Sequence, residues 1–166
     1  MRAAGQFYPD VTSNVSDTAY LVAWQHNNGR DDDIHGRRVG GSGTLQGTEI
    51  TIASGSAQQQ YPDVAANGAG GGWTVAWQQG ASSPDVHVRS LDGTGILLGG
   101  EETLAAANAQ ERPALSYDTD RGRYLAVWED HRNSTANADV YGQLLRDYTV
   151  VIDYTYSRHE VSRAIV

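Results

Sequence analysis

The residues best suited to chemistry cluster in polar stretches: Gln25, His26, Asp31 and Asp33 near the start, Gln78 and Asp85 in the middle, and Glu129, Asp130, His131 and Asp139 near the end. Carboxylates, imidazoles and amides gathered on loops can recognise sugars or peptides, and carboxylates can also exchange protons with a bound substrate. No linear motif organises them into a known reaction. A Gly-x-Ser-x-Gly elbow, a phosphate loop and a dinucleotide fingerprint are all missing. Asp31-Asp32-Asp33-Ile34-His35-Gly36 imitates the start of a calcium loop, but Ser42 stands where the closing glutamate is required. His159-Glu160 starts like a zinc-protease helix, yet Arg163 replaces the second histidine. Neither a metal nor a cofactor is expected. Adjacent pairs such as Glu101-Glu102 and Glu129-Asp130 point to opposite sides of a strand, so neither makes an acid and base pair by itself.

The elements that must position these residues are repeats. Tyr8-Pro9-Asp10-Val11 returns as Tyr61-Pro62-Asp63-Val64 and, altered, as Arg112-Pro113-Ala114-Leu115. Tyr20-Leu21-Val22-Ala23-Trp24-Gln25 returns as Trp73 to Gln78 and as Tyr124 to Glu129 in the same register. Asp33-Ile34-His35-Gly36-Arg37 matches Asp85 to Arg89 and Asp139 to Gln143, and a glycine-rich fourth block is shared by the first two copies. Each unit therefore supplies four short runs rich in β-branched and aromatic residues, separated by turn residues, which predicts a four-stranded meander. The second run is apolar on alternate positions and largely apolar on the others, so it must be covered on both faces. Trp24, Trp77 and Trp128 lie on its most regular face and are expected to be buried. Asp33, Asp85 and Asp139 each head the third run, where a carboxylate that accepts backbone N–H groups at a turn is the expected role.

The blocks Pro-Asp-Val-Ala, Val-Ala-Trp and Asp-Ile-His-Gly-Arg over residues 5–145 resemble bacterial β-propeller repeat arrays. That resemblance implies one four-stranded blade per repeat and leans towards exported or surface proteins. The chain is thus expected to be all-β and a single domain: blade 1 over 5–57, blade 2 over 58–109, blade 3 over 110–156 and a tail over 157–166. The run Arg146 to Tyr156 is expected to be the fourth strand of blade 3. A β-trefoil is the alternative, since it also combines three similar units.

Three blades are fewer than the 4 to 8 that close a propeller. Two chains would close a six-bladed ring as a homodimer, and three would close nine blades. A piece of a longer array is a further reading. Twelve Lys and Arg against twenty Asp and Glu give a net charge of −8, which argues against nucleic acid as a partner. No apolar run approaches the ~20 residues of a membrane helix, and the first residues show no apolar leader segment, which leaves the compartment open. Zero cysteines rule out disulfides and thiolate chemistry. Repetition without a catalytic motif leads to the expectation of a non-catalytic module that binds a glycan, peptide or protein at its loop rim or central channel. The alternative is a polysaccharide-acting hydrolase or lyase that gathers carboxylates from several blades at the channel.

Overall fold

The computed structural model describes residues 5–14, 18–68, 71–106, 108–134 and 136–146. All secondary structure among them is β. The first sheet contains β1 (Gly5–Asn14), β2 (Ala19–Asn27), β3 (Asp32–Gly40) and β4 (Leu45–Ala53) in simple meander order. The second contains β5 (Gln59–Ala66), β6 (Trp73–Gln79), β7 (Asp85–Leu91) and β8 (Leu97–Ala105), and the third β9 (Gln110–Asp118), β10 (Arg123–Asp130) and β11 (Asp139–Arg146). All pairings are antiparallel. The expected fourth strand of blade 3 and the tail lie outside the described residues.

Turn chemistry explains the meander. The β3–β4 and β7–β8 turns repeat the same glycines with left-handed backbone, Gly43 at φ 82° and Gly95 at φ 87°, a region that residues with a Cβ rarely enter. Three separate sheets packed face to face, each joined to the next through its first strand, replace the closed barrel that a trefoil would require.

Packing between sheets follows one rule. The first face of each sheet, which carries the Trp positions, lies on the second face of the sheet before it. Trp73, Val75, Trp77 and Leu91 of the second sheet bury against Ala19, Leu21, Ala23, Ile34 and Ile52 of the first. Tyr124, Ala126, Trp128 and Leu145 of the third bury against Ala65, Ala76, Val86 and Val88 of the second. Small alanines on one side leave room for the large rings from the other.

Polar bonds fix the same interfaces. The Asp10 carboxylate accepts the Val64 N–H at 2.7 Å, and Asp63 accepts the Leu115 N–H at 2.6 Å. Arg89 donates across the first interface to the Ile52 carbonyl at 2.9 Å.

The expectation that every second strand is covered on both faces holds for β6; β10 buries only the face of Tyr124, Ala126 and Trp128, and the structure differs most at β2. Tyr20 is 42% exposed where its counterparts Trp73 and Tyr124 are 0% and 2%, and Val11 is 56% exposed where Val64 is 6%. Trp24 is likewise only half-buried, whereas Trp77 and Trp128 are buried. The cause is position: among the described residues no sheet covers the first face of sheet one. Trp77→Ala is expected to cost about 3–5 kcal/mol in urea unfolding, and Tyr20→Ala less than half as much.

Candidate functional site

Proline dictates the shape of the site. A proline has no N–H to give to a ladder, so the repeated X-Pro in each first strand must leave the pairing. The β1–β2 register shifts between Phe7 and Asp10, and β5–β6 shifts between Gln60 and Asp63. The β9–β10 ladder shifts in the same place, passing from Ala114 to Glu111. At each bulge the residue before proline takes a left-handed backbone: Tyr8 at φ 49°, Tyr61 at φ 53° and Arg112 at φ 51°. Such a conformation is unfavourable for a residue with a Cβ, by about 1–2 kcal/mol, and it re-aims the side chain out of the alternation of the strand.

These three side chains form a continuous row across the three sheets. The Tyr8 and Tyr61 rings are 4.5 Å apart at their centroids. A hydrogen bond with Tyr8, followed by burial, raises the Tyr61 pKa, and the charges of Arg112 and Glu111 also act on it. Arg112 pairs with Glu129 at 3.2 Å, and its own N–H donates to the Gln78 side-chain carbonyl at 3.2 Å. A cavity of about 410 Å³ opens beside the row, lined by Phe7, Tyr8, Gln25, Asn27, Asp32, Gln60 and Tyr61. Its floor is ordered: Asp32 accepts from Asn27 at 2.6 Å and from Gln60 at 2.7 Å.

The carboxylates have different environments. Burial pushes Asp63 up to about 6, with the nearby Asp10 charge adding to the rise and the Leu115 N–H opposing it. Glu129 is opposite Glu111 in the β9–β10 register. Donor atoms of Glu111, Glu129 and His131 all lie within 4.8 Å of one another.

The residues read from the sequence divide between this site and other roles. Gln25 reaches the cavity with its side-chain oxygen buried and without a hydrogen-bond partner. Gln78, Glu129 and His131 gather around Arg112. Asp130 is fully buried; its charge survives burial because Arg132 and Trp128 donate to it, which holds its pKa below the ordinary value. Asp33 accepts the Asn28 amide at 3.0 Å and the Gly55 N–H at 3.3 Å, a turn-stabilising role. Asp139 accepts from Asn133 at 2.8 Å, Asp31 receives the Asn28 N–H on its backbone carbonyl, and Asp85 begins β7 opposite Gln79. His26 turns away from the cavity and stacks on His35. Tyr8, Tyr61, Arg112, Gln60 and Glu111 went unassigned in the sequence reading. The repeated X-Pro was the available signal for the first three, and Glu111 becomes visible only once β9 pairs with β10.

No protein-family model matches the chain, and neither does any curated protein. Solved structures do match its fold. An N-acetylgalactosamine deacetylase from F. plautii, in complex with blood group B trisaccharide, is similar at 10% identity and TM-score 0.60, over 87% of this chain and 50% of that one. An alpha-L-arabinofuranosidase from Lactobacillus brevis is similar at 9% identity and TM-score 0.58, over 92% of this chain and 58% of that one. A thermostable family-43 glycoside hydrolase is similar at 13% identity and TM-score 0.55, over 98% of this chain and 61% of that one. The chain is thus all-β with a β-propeller fold, and it spans half to three-fifths of the length of these structures.

These neighbours overturn the expectation of a non-catalytic module. They are enzymes that process glycans, and the absence of a linear motif, which motivated that expectation, carries no weight on a fold that assembles a site across blades.

Asp63 makes a pH prediction. Its folded pKa lies above the unfolded value, so its favourable contribution is complete below about pH 4 and is lost as pH rises through about 6. Asp63→Asn keeps a carbonyl for the Leu115 N–H and removes the charge. Relative to the parent chain, it should gain about 2–3 kcal/mol of stability between pH 4 and pH 8, measured by urea unfolding at each pH.

Proposed function

We propose that the chain is a glycan-processing hydrolase, with its substrate bound at the channel end of the blades. The observation that carries this reading is the row of Tyr8, Tyr61 and Arg112: the two tyrosines, from different blades, line a cavity with Asp32, and Arg112 next along the row holds Glu129. Phe7, Tyr8 and Tyr61 offer faces on which sugar rings stack, and Gln25, Gln60 and Asn27 offer amides for hydroxyl groups. Asp63, with its pKa near 6, is suited to give a proton to a leaving group. Glu129, paired with Arg112, is suited to act as base or nucleophile, with Glu111 opposite it in the ladder. Gln78 positions Arg112 through its backbone, and His131 completes the cluster.

Assembly is part of the same proposal. Residues 5–57, 58–109 and 110–156 act as three repeats of one domain, of the bacterial array type, and two chains close a six-bladed homodimeric ring. The open first face of blade 1 carries Tyr20, Leu45 and Val11, and a groove of about 500 Å³ runs over Pro9, Val22, Trp24 and Val39. That is the face which blades 2 and 3 bury on the blade before them. Arg37 makes the bond to Gly47 that Arg89 makes to Gly99, and the other arm of Arg89 is the one that reaches the preceding blade. Arg37 is thus placed to do the same for the third blade of a second copy. The closing interface would lack one link, because Ala114 replaces the bridging aspartate.

Turnover of chromogenic aryl glycosides or of a plant or mucosal polysaccharide tests the activity. Asp63→Asn and Glu129→Gln should each lower kcat/KM by about 10²–10⁴-fold while cooperative unfolding persists. Activity should fall as pH rises past about 6, because a general acid must be protonated. Absence of turnover across the panel would discard the hydrolase reading. For assembly, light scattering should give twice the chain mass, and Tyr20→Arg should weaken the association at least tenfold. A parent chain that stays monomeric at every concentration would refute the ring.

A further inference from the structure

Outside the channel, His26 on β2, His35 on β3 and Glu49 on β4 converge on the first face of blade 1. Trp24 pairs with His35 in the β2–β3 register, which places His26 and His35 on one face, and the short His35–Glu49 contact brings in the third strand. The two imidazoles stack with centroids 4.5 Å apart, and donor atoms of all three residues lie within 4.8 Å of one another. His35 is 13% exposed at its side chain and Glu49 44%, so the cluster is anchored in the sheet and reachable from solvent.

Packing does not account for this trio. The corresponding residues of blade 2 are Gln79, His87 and Glu101, and there Gln79 is satisfied, accepting from Gln59 and from the Trp77 indole. His26 replaces that glutamine, and its Nδ1 is buried with no hydrogen-bond partner. Leaving a buried polar atom unpaired is unfavourable, by about 1–3 kcal/mol, so a residue kept in that state invites a ligand for its lone pair. Two imidazoles and one carboxylate on three rigid neighbouring strands form a donor set suited to borderline divalent metals, with a coordination position left for water.

We propose that His26, His35 and Glu49 form a binding site for a zinc-type divalent cation on blade 1. The second three-residue cluster, Glu111, Glu129 and His131, is a weaker competitor because the Arg112 guanidinium already neutralises Glu129 there. Position also permits the site in a closed ring: Gln79 and His87, at the same place in the interface between blades 1 and 2, are only partly buried.

The test is zinc titration of tag-free, EDTA-treated protein by calorimetry, with metal counted after dialysis and Co²⁺ absorption as a geometric readout. One Zn²⁺ per chain is expected. His26→Gln, which installs what the repeat itself uses at this position, and His35→Ala should each weaken binding at least tenfold. His87→Gln and His131→Ala should leave it unchanged. Lack of stoichiometric binding, or loss that follows His131 and not His26, would overturn the assignment. Glycosidase activity is not read, so the outcome is independent of the hydrolase proposal.

Discussion

Everything in this molecule depends on the fit of one blade face against the next. A single β-sheet of four short strands cannot bury both of its faces, and strands such as β6 are apolar on both. The chain resolves this by making the two faces different: large rings with valine and leucine on one, alanines with leucine, isoleucine and valine on the other. Radial stacking follows, because each apolar face is removed from water only by the sheet next to it. The aspartate bridges from Asp10 to Val64 and from Asp63 to Leu115 then set the distance between the first strands.

That constraint also creates the chemistry. Bringing first strands together along one axis removes water from Asp63, which is why its carboxyl titrates so high, and it does so with a residue whose first task is to hold a neighbouring blade. A carboxylate that bridges two blades thereby has its pKa moved towards neutrality. The X-Pro bulges act in the same direction: three residues with left-handed backbone leave the alternation of their strands because proline forbids the ladder that would have kept them in line, and two of them, Tyr8 and Tyr61, line one cavity.

Blade 1 shows what happens when the packing rule lacks a partner. Tyr20 and Val11 are exposed at positions that are buried in later copies, and the residues free to diverge there include His26 and His35. Relief from packing allows a repeat to acquire new polar groups, and the asymmetric face combines an apolar groove with a cluster of two imidazoles and a carboxylate.

The repeat blocks, the alternation of the second strands and the glycine turns were determined by sequence alone, because hydrophobic period and turn chemistry act over a few neighbouring residues. They were enough to predict all-β meanders and the burial of Trp77 and Trp128. They also picked out Gln25, Gln78, Glu129 and His131, since polar residues at strand ends are visible as composition. The tertiary structure alone decided which of these meet. Glu111 lies opposite Glu129 through a ladder between strands 18 residues apart in that pairing, and Asp63 is buried, and its pKa thereby raised, in a blade contact where its carboxylate accepts the N–H of Leu115, 52 residues away. Asp33 and Asp130 look equally functional in a list of residues, yet local hydrogen bonds commit both to holding loops. Sequence carries the local code, whereas a site built across blades is a product of distances between strands that only packing sets.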